Sequence, residues 1–497
     1  MTRLYLFLFL VLSSLTLTAQ ADLTAALQQV GDDYNLTGMS VIVTCGEEVE
    51  TAFHYGRRDI ARNLPVTDST RFRIASISKM ISALGMMKLY EDSLVGLDDD
   101  VNDYLDFDLV NPNFPTAAIT IRDVLSHRTG IVDGAGYFNF LTASYATDLP
   151  PNLSELLTTG GNYYTTDVFT NRAPGTYFQY SNLNYGLVGT LIESISGQRF
   201  DTYIEDNILA PLGIQATFLV DNLPELGSLS VLYRNGSPSW DNYGGVFPTP
   251  RDLSGYVPGT NAVIFSPQGG LRASARELSD VLQMLAHEGS WNGVTVLEPA
   301  TVATFISDAW TFNGTNGNNY FDLFNSWGLG IQRTTNTPGG DVIIPGSAGY
   351  GHAGEAYGLI SDAYFFPDQG RSITLVINGY YGADYYAFGT NSAFYAPEEA
   401  VFAAVNQFAG AGCALGTHVS EVAAVAIQVY PNPTKGILHL TGSESPRSAV
   451  AYDLLGRSTP LAVGDRQIDA SNLATGVYLL RLERMDGRVI FQRIVVE

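Results

Sequence analysis

The sequence predicts an α+β protein: helices flank an antiparallel sheet, a helical region is inserted within it, and a small β-sandwich follows. Three observations carry this reading. Strand-like text lies near both ends of the first 410 residues, an apolar helix follows the first hairpin, and the composition shifts after about residue 409.

Taken in order, GMSVIVTC (Gly38 to Cys45) reads as a strand, and Glu47 to Tyr55 as its returning hairpin partner. Ile74 to Tyr90 is apolar on almost every side, which predicts a helix buried in a large core. Residues 95–260 mix short helices with loops rich in Asn, Pro, Gly and Tyr. Within them Leu183, Leu187, Leu191 and Ile195 share one face of an amphipathic helix. Gly349 to Gly379 reads as three strands, with Pro367-Asp368-Gln369-Gly370 turning between the last two. A helix with Pro397 in its first turn ends around Gly410. Small residues from Ala409 to Ala424 then lead into short alternating segments. Among these Asp486-Gly487 is a two-residue hairpin signal. The expected division is a secretory signal at 1–21, a large domain at 22–410, a linker at 411–424 and a small β domain at 425–497.

Composition narrows the partners. The 497 residues carry a formal charge of -24, which opposes binding to nucleic acid or anionic membrane and leaves small neutral or cationic ligands open. The opening MTRLYLFLFLVLSSLTLTAQ has a basic start, an apolar run and a small-residue end, the pattern of an export signal. No later stretch is apolar enough to span a bilayer, so no stable membrane insertion is expected. Two cysteines, Cys45 and Cys413, exclude zinc held by thiolates and allow one disulfide in an exported chain. No histidine has metal-ligand spacing with a second ligand, and neither metal nor cofactor is expected.

The chemistry starts at Ser76-Ile77-Ser78-Lys79. The chain has only three lysines, Lys79, Lys88 and Lys435, yet one stands in the apolar helix, three residues after a serine. Residues i and i+3 share a helical face, so Lys79 can reach the Ser76 hydroxyl. A buried amine loses its charge readily and can take a proton from serine; arginine cannot. A second element, Tyr180-Ser181-Asn182, sits on a loop before the amphipathic helix. The bare pattern is weak, since Tyr137-Phe138-Asn139 and Tyr430-Pro431-Asn432 match it too. A third is His352-Ala353-Gly354 at the start of a strand. By itself such a histidine reads as structural.

In this order, Ser-x-x-Lys, Tyr-x-Asn and His-x-Gly resemble the serine β-lactamase-related family. That family groups class C β-lactamases, D-Ala-D-Ala peptidases, D-aminopeptidases and certain esterases. LSHRTGI (Leu125 to Ile131), PGTYFQYSN, APLGI (Ala210 to Ile214), GGLRASARELSD (Gly269 to Asp280), WGLG (Trp327 to Gly330) and GYGHAG extend the likeness over about residues 23 to 410. The resemblance implies a β-lactamase/transpeptidase-like fold with Ser76 as an acylated nucleophile. Lys79 and Tyr180 would be its coupled base, and Tyr180 would return the proton to the leaving group. Asn182 would orient substrate and lysine. His352 would support Tyr180 by a hydrogen bond, and the Ser76 and Glu355 backbone N–H groups would form the oxyanion hole. It also implies a Cys45–Cys413 disulfide, because the first strand neighbours the last helix in that fold.

Departures bear on the substrate. Ala353 stands where β-lactamases and carboxypeptidases commonly carry a hydroxyl residue. Beside Gly354 of the same pocket, Glu355 would repel a substrate carboxylate if it faces the cleft; facing solvent, it would say nothing. An esterase or D-amino acid amidase or peptidase is therefore favoured. A β-lactamase or D-Ala-D-Ala carboxypeptidase is the alternative, and a catalytically silent surface binding protein the reading from another class. Finally, VYPNP, YDLLGR (Tyr452 to Arg457), LATGVYLLRL and RIVV resemble a type IX secretion C-terminal sorting domain. This implies that machinery as partner, with release or display at the cell surface.

Overall fold

The computed structural model describes residues 22–409, 429–430, 432–440, 446–452, 458–464, 466–483 and 489–496. The chain divides into two compact units between Gly416 and Thr417. The expected signal and linker lie outside the described residues.

In the first unit, α1 (22–33) precedes β1 (Leu36–Cys45) and β2 (Glu48–Asp59), then α2 (Ile77–Glu91), α3 (Asn182–Ser196) and α4 (Ala275–Ala286). β3 (Tyr350–Ala356), β4 (Leu359–Phe366), β5 (Arg371–Tyr380) and α5 (Ala396–Phe408) complete it. One sheet runs from the short strands Trp310–Thr311, Ser326–Trp327 and Gln332–Arg333 through β3, β4, β5, β1 and β2 to Leu64–Pro65. Nearly all of β1 is buried, because it is central, pairing β5 through Val41–Leu375 and β2 through Val41–Phe53. That explains a strand apolar on both faces.

Two apolar cores lie on the two faces of the sheet. Ile74, Met80, Leu84, Leu187, Leu282 and Ala363 belong to one. Leu27, Val41, Ile360, Ile373, Val401 and Phe402 belong to the other, which brings in the terminal helices. The first core explains why α2 has no polar face. The helix begins at Ile77 instead of Ile74 because Ala75 adopts a left-handed φ of 49° and Ile74 N donates to Leu271 O at 3.0 Å, a strand-like lead-in.

The second unit is a small β domain with a seven-stranded sheet among its described residues. Its last strands, Gly476–Glu483 and Val489–Val496, pair antiparallel as an Asp486-Gly487 hairpin requires, although the turn itself lies outside the described residues. The sheet curls until Thr434 N donates to Val495 O at 2.8 Å, and its inward side chains share one core around Leu438, Leu440, Ala451 and Leu480.

Candidate active site

Ser76 is the N-cap of α2. The left-handed turn at Ala75 that delivers it disfavours a side chain by about 1–2 kcal/mol, and packing holds it: Ser361 Oγ donates to Ile74 O at 3.0 Å. One helical turn on, Lys79 is fully buried. Its Nζ lies 3.0 Å from Ser76 Oγ, 2.9 Å from Asn182 Oδ1 and 2.7 Å from Gln268 O. It also stands 4.9 Å from the Tyr180 ring centroid. Burial lowers the amine to about 7, with the Asp133 carboxylate pulling the other way.

Asn182 is the first residue of α3, and not a loop residue as the sequence suggests. The reason is Asp133, a distant cap that sequence reasoning missed. Its carboxylate accepts from Asn182 N at 3.2 Å, Leu183 N at 2.9 Å, Ser181 Oγ at 2.9 Å and Asn182 Nδ2 at 2.8 Å. Negative charge at a helix N-terminus is favourable. Here it also takes the Asn182 NH₂ group and leaves Oδ1 to face Lys79. Nothing local in the sequence pairs residue 133 with residue 182; the only trace is that Asp133 follows LSHRTGI closely.

The Tyr180 ring is walled by His127 at 4.4 Å, Phe324 at 5.3 Å, Trp327 at 5.9 Å and His352 at 6.0 Å between centroids. Ser76 lies near enough to its hydroxyl to influence the phenol pKa. Burial pushes the phenol well above its ordinary pKa, and Ser76 opposes this only in part.

His352 departs from expectation. Its Nδ1 donates to Ala353 O at 2.5 Å, and Nε2 has no hydrogen-bond partner. The expected hydrogen bond to Tyr180 is not formed, because Nδ1 is turned to the ring's own strand. Support is by packing instead, with His352 edge-on to Trp327 at 5.2 Å. Burial and then the Lys79 charge hold the imidazole down to about 3, so it is neutral. His127, buried beneath Tyr180, accepts from Ser181 N at 3.2 Å through Nδ1.

β3 brings in the remaining residues. Past Gly351 it pairs with β4 alone, so the edge from Ala353 to Ala356 is left to the cleft. A Cβ added at Gly354 would lie 2.7 Å from Ile74 O and 3.2 Å from Ser76 N, so the strand passes directly against the Ser76 amide. The cleft holds about 480 Å³, and Ser76, Tyr180, Asn182, Ala353, Gly354 and Glu355 are among the residues that line it. Glu355 lines it, and Tyr395 OH, also on the lining, donates to Glu355 Oε2 at 2.9 Å. Among the described residues no Lys or Arg lines the cleft, whereas Asp133, Glu355 and Glu398 do. Of the competing Tyr-x-Asn segments, Tyr137 is buried in the helix Ala135–Ala146 and Tyr430 belongs to the second unit. Cys45, at the end of β1, is disulfide-bonded, and Cys413 lies outside the described residues.

Residues 23–394 match the family described as beta-lactamase. The chain belongs to the beta-lactamase family. Residues 428–497 of this beta-lactamase-family chain match the secretion system C-terminal sorting domain. Penicillin-binding protein 4* of Bacillus subtilis (strain 168) is 27% identical over 192 residues, 38% of this chain and 39% of that protein. Protein flp of Staphylococcus aureus (strain MRSA252) is 27% identical over 195 residues, 38% of this chain and 36% of that protein. The match thus spans under two fifths of the length of each of these relatives. In fold, the octameric penicillin-binding protein homologue of Pyrococcus abyssi aligns with a TM-score of 0.56 at 18% identity, over 96% of both chains. D-amino acid amidase of Ochrobactrum anthropi SV3 aligns at 0.53 and 20% identity, over 77% of this chain and 99% of its own. These neighbours share the β-lactamase/transpeptidase-like fold of serine hydrolases.

Proposed function

We propose that the chain is an exported serine hydrolase that forms an acyl-enzyme at Ser76 from an ester or amide, with esters and D-amino acid amides or peptides preferred over β-lactams. The observation that carries this is the partner set of Lys79. A neutral amine has two hydrogens and one lone pair. Asn182 Oδ1 and Gln268 O can only accept, so they take the hydrogens, and the lone pair is left for the Ser76 hydroxyl proton. With its pKa at about 7, Lys79 is available as a base near neutrality.

Tyr180 is driven the other way and stays protonated. Two groups pushed apart in this manner suit different tasks: the amine takes the serine proton, and the phenol donates toward the leaving group. The Ser76 amide and the cleft-facing edge of β3, with Glu355 as the second donor, would hold the oxyanion. Ala353 supplies no hydroxyl for a substrate carboxylate, and Glu355 repels one. This disfavours the β-lactamase and D-Ala-D-Ala carboxypeptidase alternatives. The likeness to a D-amino acid amidase supports the preferred class. The sorting domain supports export through type IX machinery to the surface or medium.

A fluorophosphonate probe tests the reading against a silent binding protein. Wild type should be labelled covalently and Ser76→Ala should not; labelling that persists in Ser76→Ala sinks the assignment.

A further inference from the structure

We propose that Phe321 and Phe388 form an aromatic subsite of the cleft, which selects substrates that carry an aromatic group. That the bound group belongs to a substrate rests on the serine-hydrolase reading; the subsite itself does not.

The backbone around Phe321 is the first observation. Tyr320, Phe321 and Asp322 have φ of 52°, 59° and 68°, and they are the only run of consecutive non-glycine residues in the left-handed region among the described residues. Each such residue is strained, so three in a row persist only where their surroundings impose them. Two asparagines do so here. Asn319 Nδ2 donates to Asp322 Oδ1 at 2.7 Å and to Asn325 Oδ1 at 2.9 Å, and Asn325 Nδ2 donates to Asp322 O at 2.8 Å. The turn is also tied to the candidate active site, since Tyr320 OH donates to Tyr180 O at 3.1 Å.

This strain exposes an apolar ring instead of burying one. Phe321 is 85% exposed, more than any other large apolar side chain among the described residues, yet it lines the cleft that holds Ser76. Phe388, 62% exposed, lines the same cleft and stacks on Tyr395 with centroids 5.6 Å apart. A single apolar side chain on a surface is ordinary: Phe138, 68% exposed on the helix Ala135–Ala146, is not on the cleft lining. Two exposed rings on one cleft lining, one of them held there against its backbone preference, mark a binding surface.

The rest of the lining identifies the occupant. Tyr320, Phe324 and Tyr395 add aromatic surface. No Lys or Arg lines the cleft among the described residues, whereas Asp133 and Glu355 do, so an anionic ligand is disfavoured. A cleft of about 480 Å³ has the size of a small-molecule site. A flat apolar group meets the faces and edges of these rings, and burying it against them removes apolar surface of both partners from water. An aromatic group on a neutral or cationic small molecule satisfies all of these conditions.

Calorimetric titration of the Ser76→Ala protein with D-alaninamide, D-phenylalaninamide and D-alanine anilide tests the subsite without any turnover. All three carry the same amine, and the last two place an aromatic ring on the acyl side or on the leaving-group side. At least one of these two should bind about tenfold more tightly than D-alaninamide, and the tighter one fixes the side. Adding Phe321→Asn should reduce the preference to about threefold or less while the melting temperature stays level or rises, because asparagine accepts a left-handed φ more readily than phenylalanine. Phe388→Ala should reduce the preference as well, and Phe138→Ala should not. The proposal is overturned by equal affinities for all three, by an undiminished preference in Phe321→Asn or Phe388→Ala, by an equal reduction in Phe138→Ala, or by a melting temperature lowered in Phe321→Asn. Equal affinities together with a dimer that Phe321→Asn dissociates would instead assign the rings to a contact between copies of the chain. Because this protein lacks Ser76, its outcome is independent of the labelling result for the hydrolase reading.

Discussion

Asp133 accepts a hydrogen bond from Asn182 Nδ2 at 2.8 Å, and this turns Asn182 Oδ1 toward Lys79 Nζ, 2.9 Å away. One carboxylate thus caps α3, orients the amide and raises the pKa of the amine against burial. Asp133→Asn removes the charge, so the Lys79 pKa falls further and the rising limb of the pH–rate profile moves to lower pH. The weakened cap lowers stability by about 1 kcal/mol. A limb that stays in place would show that Asp133 does not face the base.

In wild type, hydrolysis of a neutral ester should rise with pH through about 7, the Lys79 value. The sign follows from the active form: below 7 the amine is protonated and cannot take the Ser76 proton, so kcat/KM falls by about tenfold per pH unit. His352, held near 3, is neutral throughout this range and should contribute no limb. His352→Gln should lower the rate and keep the limb; its disappearance would move the base from lysine to histidine.

Lys79→Arg should be about as inactive as Lys79→Ala toward the fluorophosphonate, since arginine does not give up its proton. Labelling at a rate near that of wild type in the arginine protein would show that position 79 supplies charge alone.

Gly354→Ala is expected to separate β3 from Ser76. The added Cβ would meet Ser361 Oγ at 2.5 Å and Ile74 O at 2.7 Å, so the strand must shift by a fraction of an ångström beside the reacting hydroxyl. A misplacement of about 1 Å can reduce kcat by about 100-fold, so this smaller shift should lower it by about tenfold or more. Circular dichroism should show a folded protein, and an unchanged kcat would mean that the strand edge takes no part.

Short-chain p-nitrophenyl esters or D-amino acid amides should be turned over faster than nitrocefin or D-Ala-D-Ala peptides, because Glu355 lines the cleft and Ala353 offers no hydroxyl. Glu355→Ser should improve acylation by penicillins modestly. Nitrocefin hydrolysis at a rate above that of the esters would reverse the preference.

The sequence by itself determined the elements whose physics is local. β1, the helix holding Ser76 and Lys79, the three C-terminal strands of the first unit and the change at the second unit are all written in periodicity and turn residues. The Ser76–Lys79 pair belongs with them, because three residues of helix fix its geometry. Tertiary structure decided what depends on distant neighbours. Asp133 reaches Asn182 across 49 residues, and no spacing rule announces a cap from so far away. His352 packs against Tyr180 instead of hydrogen-bonding to it, because its Nδ1 is turned to Ala353 O. Asp362 reads as an ordinary strand residue until β3 and α5 place Ala353 and Glu398 beside it. Charge acquires meaning only with its surroundings: the burial that lowers the Lys79 pKa raises those of the Asp362 and Glu398 carboxyl groups, and burial is a property of the whole fold.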